Sequence, residues 1–207
     1  MKVLLINGSP HPKGCTYRAL SEVAKAIEVE GVETQIFDLK TGPFESCRAC
    51  GYCKKNNRCI IDDAVNQIAE LAEESDGFIF GTPVHYAGIS GAIKCVLDRL
   101  YTSNSSKLAY KPGAAIVSCR RSGSTATLDN LNKYFTINNQ PVVSSQYWNQ
   151  VHGANVEDVE QDKEGLQIMR QLGKNMAWLI KSIEIGKKSG VSLPTLEEDH
   201  EQTNFIH

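Results

Sequence analysis

The sequence lacks both a long apolar run and an excess of charge of either sign. No stretch of its 207 residues approaches the roughly 18 apolar residues that a membrane-spanning helix needs. Its 22 lysines and arginines are balanced by 24 aspartates and glutamates, which leaves a net charge of −2 and does not favour binding to nucleic acid or to an anionic membrane. We therefore expect neither a nucleic acid nor a membrane as a partner.

A recognisable export signal is missing as well. The first apolar segment, residues 3–6, is too short for a signal peptide and runs directly into a glycine turn, so we interpret it as a buried strand and expect a cytoplasmic protein. The seven cysteines are an odd number, and four of them lie between positions 47 and 59. In a reducing compartment this pattern indicates metal binding or redox chemistry before a disulfide framework.

Short apolar segments alternate with longer amphipathic ones along the chain. Strands are predicted at residues 3–6, 33–38, 77–81, 114–118 and 142–148. Helices are predicted at residues 16–29, 65–72, 91–100, 128–137 and 164–183. This alternation predicts an α/β fold, a flavodoxin-like three-layer α/β/α sandwich with a five-stranded parallel sheet in the order 2-1-3-4-5. We assign residues 1–186 to one domain with a cysteine-rich insertion at 42–61, and residues 187–207 to a C-terminal tail.

The segment between the first strand and the first helix has the composition of a phosphate-binding loop. Its glycines allow close backbone approach, and the amino end of the following helix offers unpaired N–H groups. It matches neither G-x-G-x-x-G nor G-x-x-x-x-G-K-[ST], which argues against a dinucleotide pyrophosphate and against nucleotide hydrolysis, so a terminal monophosphate fits better. The alternative is a plain strand–helix turn. The candidate residues are Ser9, His11, Lys13, Gly14, Cys15 and Thr16.

This loop reads G-S-P-H-P-K-G-C-T and resembles the G-S-P-R-x-x-G-N-T segment of the NAD(P)H-dependent FMN reductases and iron–sulfur flavoproteins. The resemblance implies FMN as cofactor and oxidoreductase activity. His11 replaces the usual arginine and Cys15 the usual asparagine, so two phosphate donors are lost. Ser9, Thr16 and the loop amides would then carry more of the binding.

Two further loops extend the resemblance, which spans residues 2–148. The loop after the third strand is expected to lie against the flavin ring, where Tyr86 or His85 could stack on the ring or offer it a polar edge, although His85 could equally pack or face solvent. The loop after the fourth strand contains Arg120 and Arg121, which would stabilise negative charge on the reduced ring or would be solvated. A nearby helix matches K-x-x-x-D-R at Lys94, for which we expect an ion pair with Asp98. The candidate residues of these loops are Pro83, Val84, His85, Tyr86, Ser118, Arg120, Arg121 and Gly123.

The cysteine-rich insertion carries the spacing C-x2-C-x2-C-x5-C. Thiolates at such intervals can surround an iron–sulfur cubane, and the motif resembles that of the iron–sulfur flavoproteins, which bind [4Fe–4S]. Structural zinc usually takes two CxxC pairs that are further apart. A cluster, a zinc ion and free redox-active thiols all stay open at this point. The four candidate ligands are Cys47, Cys50, Cys53 and Cys59.

Three hypotheses on function follow. In the first, FMN takes hydride from NAD(P)H at flavin N5 and passes it to a quinone, a flavin or another small acceptor, and no side chain is catalytic. In the second, a cluster relays single electrons from ferredoxin to FMN. In the third, the site has lost its cofactor and the chain is a binding protein. Residues 150–153 follow the predicted last strand, where relatives often contact a neighbouring subunit, and so favour a homodimer.

Overall fold

A parallel sheet forms the middle layer of the computed structural model, which describes residues 1–195. The strands are β1 (Lys2–Asn7), β2 (Glu33–Asp38), β3 (Gly77–His85), β4 (Gly88–Ile89), β5 (Gly113–Cys119) and β6 (Gln150–His152). Five of them are parallel and lie in the order β2-β1-β3-β5-β6, while β4 pairs antiparallel with the end of β3. Counted over the parallel strands, this is the predicted order 2-1-3-4-5, and the flavodoxin-like fold is confirmed.

Helices cover both faces of the sheet. They are α1 (Cys15–Val29), α2 (Cys53–Asn56), α3 (Ala64–Glu73), α4 (Gly91–Leu108), α5 (Ser124–Thr136), α6 (Val156–Gln161) and α7 (Lys163–Lys188). Alternate residues of β1 feed two separate cores. Val3 and Leu5 pack with α1 and α7, whereas Leu4 and Ile6 pack with α3, α4 and α5. Because both faces are buried, the strand reads as a continuous apolar run in the sequence.

The prediction that the last strand spans residues 142–148 is wrong. Val142 makes only an isolated bridge with Gly113, and the strand proper is β6, Gln150–His152. The polar residues between them explain the shift, because the Ser145 hydroxyl donates to Asn149 and to a backbone carbonyl and so favours a turn over a sheet ladder. Residues 150–152 therefore belong to the sheet itself and do not follow its last strand.

Three helices extend further than predicted, and one of them, α5, begins at Ser124, four residues before its predicted start. Helix α4 continues past residue 100 to Leu108, with Asn104 departing from helical angles at φ −143° and ψ 26°. Helix α7 ends at Lys188 and so includes the first residues of the predicted tail. Residues 196–207 lie outside the described residues, and the tail stays a prediction. No helix between residues 1 and 195 combines the length and apolarity that crossing a membrane would take.

Helices α1 and α7 pack closely because Gly173 has no side chain. A Cβ at Gly173 would lie 2.7 Å from the Ala26 Cβ and 2.7 Å from the Val23 carbonyl oxygen. We expect Gly173→Ala to lower the free energy of unfolding by about 1–3 kcal/mol, since the overpacking exceeds the gain in helix propensity. Urea unfolding followed by circular dichroism measures this change.

Gly186 in the same helix provides the matched control. A Cβ there would have its nearest neighbour, on Val191, 3.8 Å away, which is ordinary contact. Gly186→Ala should leave stability unchanged or raise it by up to about 1 kcal/mol through helix propensity alone. Equal destabilisation by both substitutions would show that the α1–α7 contact is not the cause.

Glu22 on α1 joins two helices through its carboxylate. It accepts hydrogen bonds from Arg18, at 2.8 Å, and from Arg170 on α7. Burial raises the pKa of Glu22, but the hydrogen bonds from Arg170 and Arg18 outweigh burial and the pKa is lowered. The ionised carboxylate therefore stabilises the fold above the unfolded-state pKa of about 4.3, and this contribution is lost as pH falls through the lower folded-state pKa.

Glu22→Gln should accordingly cost about 1–2 kcal/mol of unfolding free energy at neutral pH. The difference from wild type should shrink towards zero as pH falls through the lowered folded-state pKa of Glu22, below which both proteins are neutral at this position. Urea unfolding at several pH values measures it. A difference that is unchanged at low pH would mean that the side chain acts through packing and not through its charge.

Candidate functional site

The turn after β1 begins with a close backbone contact. A Cβ at Gly8 would lie 2.7 Å from the Ile93 Cβ and 2.9 Å from the Gly81 carbonyl oxygen. The Gly8 N–H donates to Gly81 at 2.8 Å, and the Ser90 hydroxyl donates to the Gly8 carbonyl at 3.1 Å. These bonds attach the turn to β3 and to the start of α4. Only a glycine at position 8 allows the backbone to approach them so closely.

Ser9 organises the loop from within. Its side chain is buried, its N–H donates to the Asn7 side-chain oxygen at 3.2 Å, and its hydroxyl oxygen accepts from the His11 N–H at 3.1 Å. The hydroxyl keeps its own hydrogen to donate. His11 and Lys13 are exposed at the outer part of the loop. Ser9 therefore shapes the turn and still offers one donor.

The amino end of α1 has no side-chain cap. Gly14 stands at the N-cap position, and no capping side-chain hydrogen bond is formed there within residues 1–195. The first-turn N–H groups of such a helix stay unsatisfied and carry partial positive charge. The buried Thr16 adds a hydroxyl, which lies 2.8 Å from the Ser118 hydroxyl at the end of β5. Amides and two hydroxyls thus meet where the phosphate was predicted.

A hairpin between β3 and β4 stands beside this loop. Its two central residues, Tyr86 and Ala87, have positive φ angles of 49° and 59°, as a type I′ turn requires. The Tyr86 side chain is fully exposed, His85 is exposed, and Pro83 and Val84 at the base are half-buried. An unburied aromatic ring at a sheet edge is available to stack on a planar ligand.

Gly123 brings the loop after β5 against this hairpin. It has φ +87°, and a Cβ there would lie 2.7 Å from the Ala87 Cα. Arg120 and Arg121 are exposed on the same loop. Within residues 1–195 no carboxylate pairs with Lys13, Arg120 or Arg121. The edge therefore carries positive charge that is free to attract an anion.

The four cysteines of the insertion line a single cavity of about 420 Å³. Cys47 and Cys50 are exposed, while Cys53 and Cys59 are half-buried. One water molecule takes roughly 30 Å³, so the cavity can hold a group of several atoms. In the described part of the chain, no three His, Cys, Asp or Glu side chains lie close enough together to hold a single metal ion.

Helices α3 and α4 hold the two inner cysteines. The buried Asn66 accepts from the Cys59 N–H at 3.0 Å and donates to the Cys59 carbonyl at 3.1 Å, which fixes the backbone of this residue. The Cys53 thiol lies 3.7 Å from the Thr102 carbonyl on α4. The segment that carries the outer cysteines has no regular structure, and it turns at Gly51 with φ +71°.

Arg99 closes the inner wall of this cavity. Its guanidinium Nη1 lies 3.6 Å from the Cys59 Sγ, and Nη2 donates to the Asp63 carboxylate. Burial lowers the pKa of Arg99, but hydrogen bonds to Asp63 and Cys59 outweigh burial, and the pKa is raised. A permanently charged group therefore lines the same cavity as the four cysteines and contacts the thiol of Cys59.

Residues 1–155 match the family model described as NADPH-dependent FMN reductase. The chain belongs to this family. It is also 33% identical over 192 residues to an iron–sulfur flavoprotein of Methanocaldococcus jannaschii, covering 89% of this chain and all of that one. An iron–sulfur flavoprotein of Archaeoglobus fulgidus is 28% identical, with 86% of this chain and 97% of that one covered.

Solved structures support the fold of this FMN reductase family member. A flavone reductase aligns with a TM-score of 0.70 at 18% identity, covering 89% of this chain and 64% of that one. An NAD(P)H:quinone oxidoreductase from Methanothermobacter marburgensis aligns with a TM-score of 0.66 at 15% identity, covering 85% and 96%. Membership of the NADPH-dependent FMN reductase family makes the chain an oxidoreductase, and the predicted family and flavin cofactor are confirmed.

Two cysteines lie near the predicted flavin edge and stay protonated. Burial raises the pKa of the Cys15 thiol, and burial likewise raises the pKa of Cys119. Cys15 Sγ lies 3.8 Å from the Gly153 carbonyl at the end of β6. Neither thiol therefore places a negative charge at the predicted phosphate site, so the cysteine at position 15 would remove a donor without adding repulsion.

The structure collects the predicted flavin residues at one edge, and it also reveals contributors that the sequence analysis missed. Asn66 holds the Cys59 backbone and Asp63 pairs with Arg99 at the cysteine cavity, and the sequence analysis named neither of them. Arg99 was recognised only as part of the K-x-x-x-D-R match. The predicted ion pair between Lys94 and Asp98 on the same helix is confirmed. The Lys94 Nζ lies 2.8 Å and 2.9 Å from the two Asp98 carboxylate oxygens.

Proposed function

We propose that this protein binds FMN across the carboxyl edge of its sheet. It oxidises NAD(P)H and transfers the hydride to a small acceptor such as a quinone or a flavin. The observation that carries the proposal is the meeting of three loops at this edge, with the uncapped amino end of α1 at its centre. When bound, FMN supplies a ring that accepts hydride at N5 and releases it to the acceptor.

Each loop has a separate task in this proposal. The N–H groups that begin α1, with the hydroxyls of Ser9 and Thr16, hold the phosphate. The hairpin places Tyr86 and His85 against the ring, and its exposed tip leaves one face open to nicotinamide and acceptor in turn. Arg120 and Arg121, which have no carboxylate partner in residues 1–195, stabilise the negative charge that a reduced ring carries.

A second candidate function is favoured by the cysteine cavity. Four cysteines that line one cavity beside a buried guanidinium are suited to an anionic iron–sulfur group, because thiolates are the ligands that such clusters take. The similarity to iron–sulfur flavoproteins over nearly the whole chain supports it. Cys47, Cys50, Cys53 and Cys59 would hold the cluster, which would supply a one-electron path between a carrier such as ferredoxin and FMN.

Anaerobic purification, with assays for flavin, iron and sulfide and with reduction kinetics, tests both functions. Rapid bleaching of bound flavin by NADPH without any carrier protein is expected for the first. Stoichiometric iron and sulfide, with flavin reduction that depends on reduced ferredoxin, is expected for the second. A colourless protein that shows no saturable FMN binding would contradict both. We also infer a homodimer from the family resemblance alone, and light scattering of the purified protein tests it.

A further inference from the structure

Arg99 is an unusual residue to find at the wall of the cysteine cavity. It is 2% exposed and is the only charged residue among residues 1–195 that is buried. A buried charge is unfavourable unless it is paired and fully hydrogen-bonded. Its carboxylate partner, Asp63, has a side chain that is 25% exposed, so water weakens the compensation that this ion pair provides.

The hydrogen bonds of this guanidinium are incomplete within the described residues. Nη2 donates to Asp63, and Nη1 faces the Cys59 Sγ at 3.6 Å. Nε has no partner between residues 1 and 195. A neutral thiol is a weak acceptor, whereas a sulfur with negative charge is a strong one. The hydrogen bonding of the Arg99 guanidinium is therefore incomplete next to neutral thiols, and an anionic sulfur group in the cavity would complete it.

We propose that Arg99 is a positioning residue that raises the reduction potential of the iron–sulfur group held by Cys47, Cys50, Cys53 and Cys59. The inference rests on the second function proposed above. A one-electron reduction adds one negative charge to the group, with the electron supplied by a donor of lower potential and with no bond broken. A fixed cation next to a ligand sulfur stabilises the reduced form more than the oxidised form.

Arg99→Gln in the full-length protein, reconstituted anaerobically with iron and sulfide, is the direct test. The equilibrium constant for one-electron reduction should fall at least tenfold, which corresponds to a midpoint potential lower by about 59 mV. Redox titration with dithionite, followed by electron paramagnetic resonance, measures the potential. Arg48→Gln is the matched control, because Arg48 lines the same cavity but has a side chain that is 58% exposed and paired with Glu45. Its shift should be less than half as large.

Asp63→Asn tests the same proposal with the opposite sign. Asp63 caps α3 by accepting from the Val65 N–H at 3.1 Å, and asparagine is an equally good cap, so the fold should be kept. Removing this negative charge should raise the potential. A purely structural role for Arg99 predicts no such pair of opposed shifts. If Arg99→Gln does not fold, Asp63→Asn keeps the proposal open to contradiction, because an unchanged or lower potential would overturn the electrostatic effect on which it depends.

The outcomes separate this proposal from the function on which it depends. Wild-type protein that takes up no iron or sulfide would contradict the cluster itself, and this inference with it. Wild type that carries the cluster, with variants of unchanged potential, would contradict the role of Arg99 alone. A lower potential in Asp63→Asn would do the same. Opposed shifts, with a small shift in Arg48→Gln, support the proposal.

Discussion

Gly14→Asp is expected to weaken FMN binding at least a hundredfold while it makes the flavin-free protein more stable by up to about 1 kcal/mol, a few tenths from the cap and the rest from the negative charge at the amino end of α1. Gly14 is the N-cap of α1, with extended angles of φ −85° and ψ −167° that aspartate adopts readily. The carboxylate of the introduced aspartate would accept hydrogen bonds from the first-turn N–H groups and would occupy the position that we propose for the phosphate. It would also repel the phosphate by like charge, and together these effects exceed the roughly 2.7 kcal/mol that a hundredfold loss requires.

Fluorescence titration with FMN and thermal unfolding of the flavin-free protein measure the two effects. A Cβ at position 14 would lie 3.0 Å from the His11 Cβ, a tight contact that the exposed loop residue can relieve by a small shift. Gly14→Asn is the matched control, because it caps the helix without the charge and should weaken binding to an intermediate degree. Wild-type affinity in Gly14→Asp would mean that the phosphate binds elsewhere.

The central part of the fold was predictable because its signals are local. β1, β3 and β5 are apolar runs that end near glycine, and buried parallel strands have this pattern. The loops at their carboxyl ends must then meet at one edge, whatever the side-chain details. The candidate flavin-site residues were therefore brought together by topology, as the 2.8 Å contact between the Thr16 and Ser118 hydroxyls illustrates.

The errors occur where side chains or distant contacts decide the structure. β6 has only three residues, and the Ser145 hydroxyl turns the chain before it, so the apolar run at residue 142 was misleading. The hairpin turn places positive φ on Tyr86 and Ala87, which carry no glycine signal. Tyrosine and alanine rarely adopt positive φ, so the sequence predicts neither angle. The close packing of Gly123 against the hairpin stabilises this conformation.

The cysteine cavity was half predictable. Its four thiols are evident from their spacing, but Asn66 and Arg99 reach Cys59 from seven and forty positions away. Contacts at such separations depend on how α3 and α4 pack together, and a single sequence does not encode them in any local pattern. The chemically informative feature, a buried cation beside the thiols, was accordingly seen only in three dimensions.

Cys50→Ala is expected to abolish the bound iron and sulfide and to leave FMN binding within about twofold of wild type. The fold should tolerate the change, because Cys50 is exposed and its segment has no regular secondary structure. Loss of one of four thiolates opens a cluster to solvent and dissociation, whereas the flavin edge is built from other loops. Reduction by ferredoxin should disappear, and any direct reduction by NADPH should persist.

The selectivity of this loss distinguishes a cluster from the two other readings of the motif. Cys95→Ala is the matched control, since Cys95 is half-buried on α4 and does not line the cavity, and its iron content should equal that of wild type. Zinc in place of iron in the wild-type protein would favour a structural ion. Metal content that is the same in Cys50→Ala as in wild type would favour free thiols. A cluster held by four sulfurs depends on each of them, whereas thiols that bind no metal lose none when one is removed.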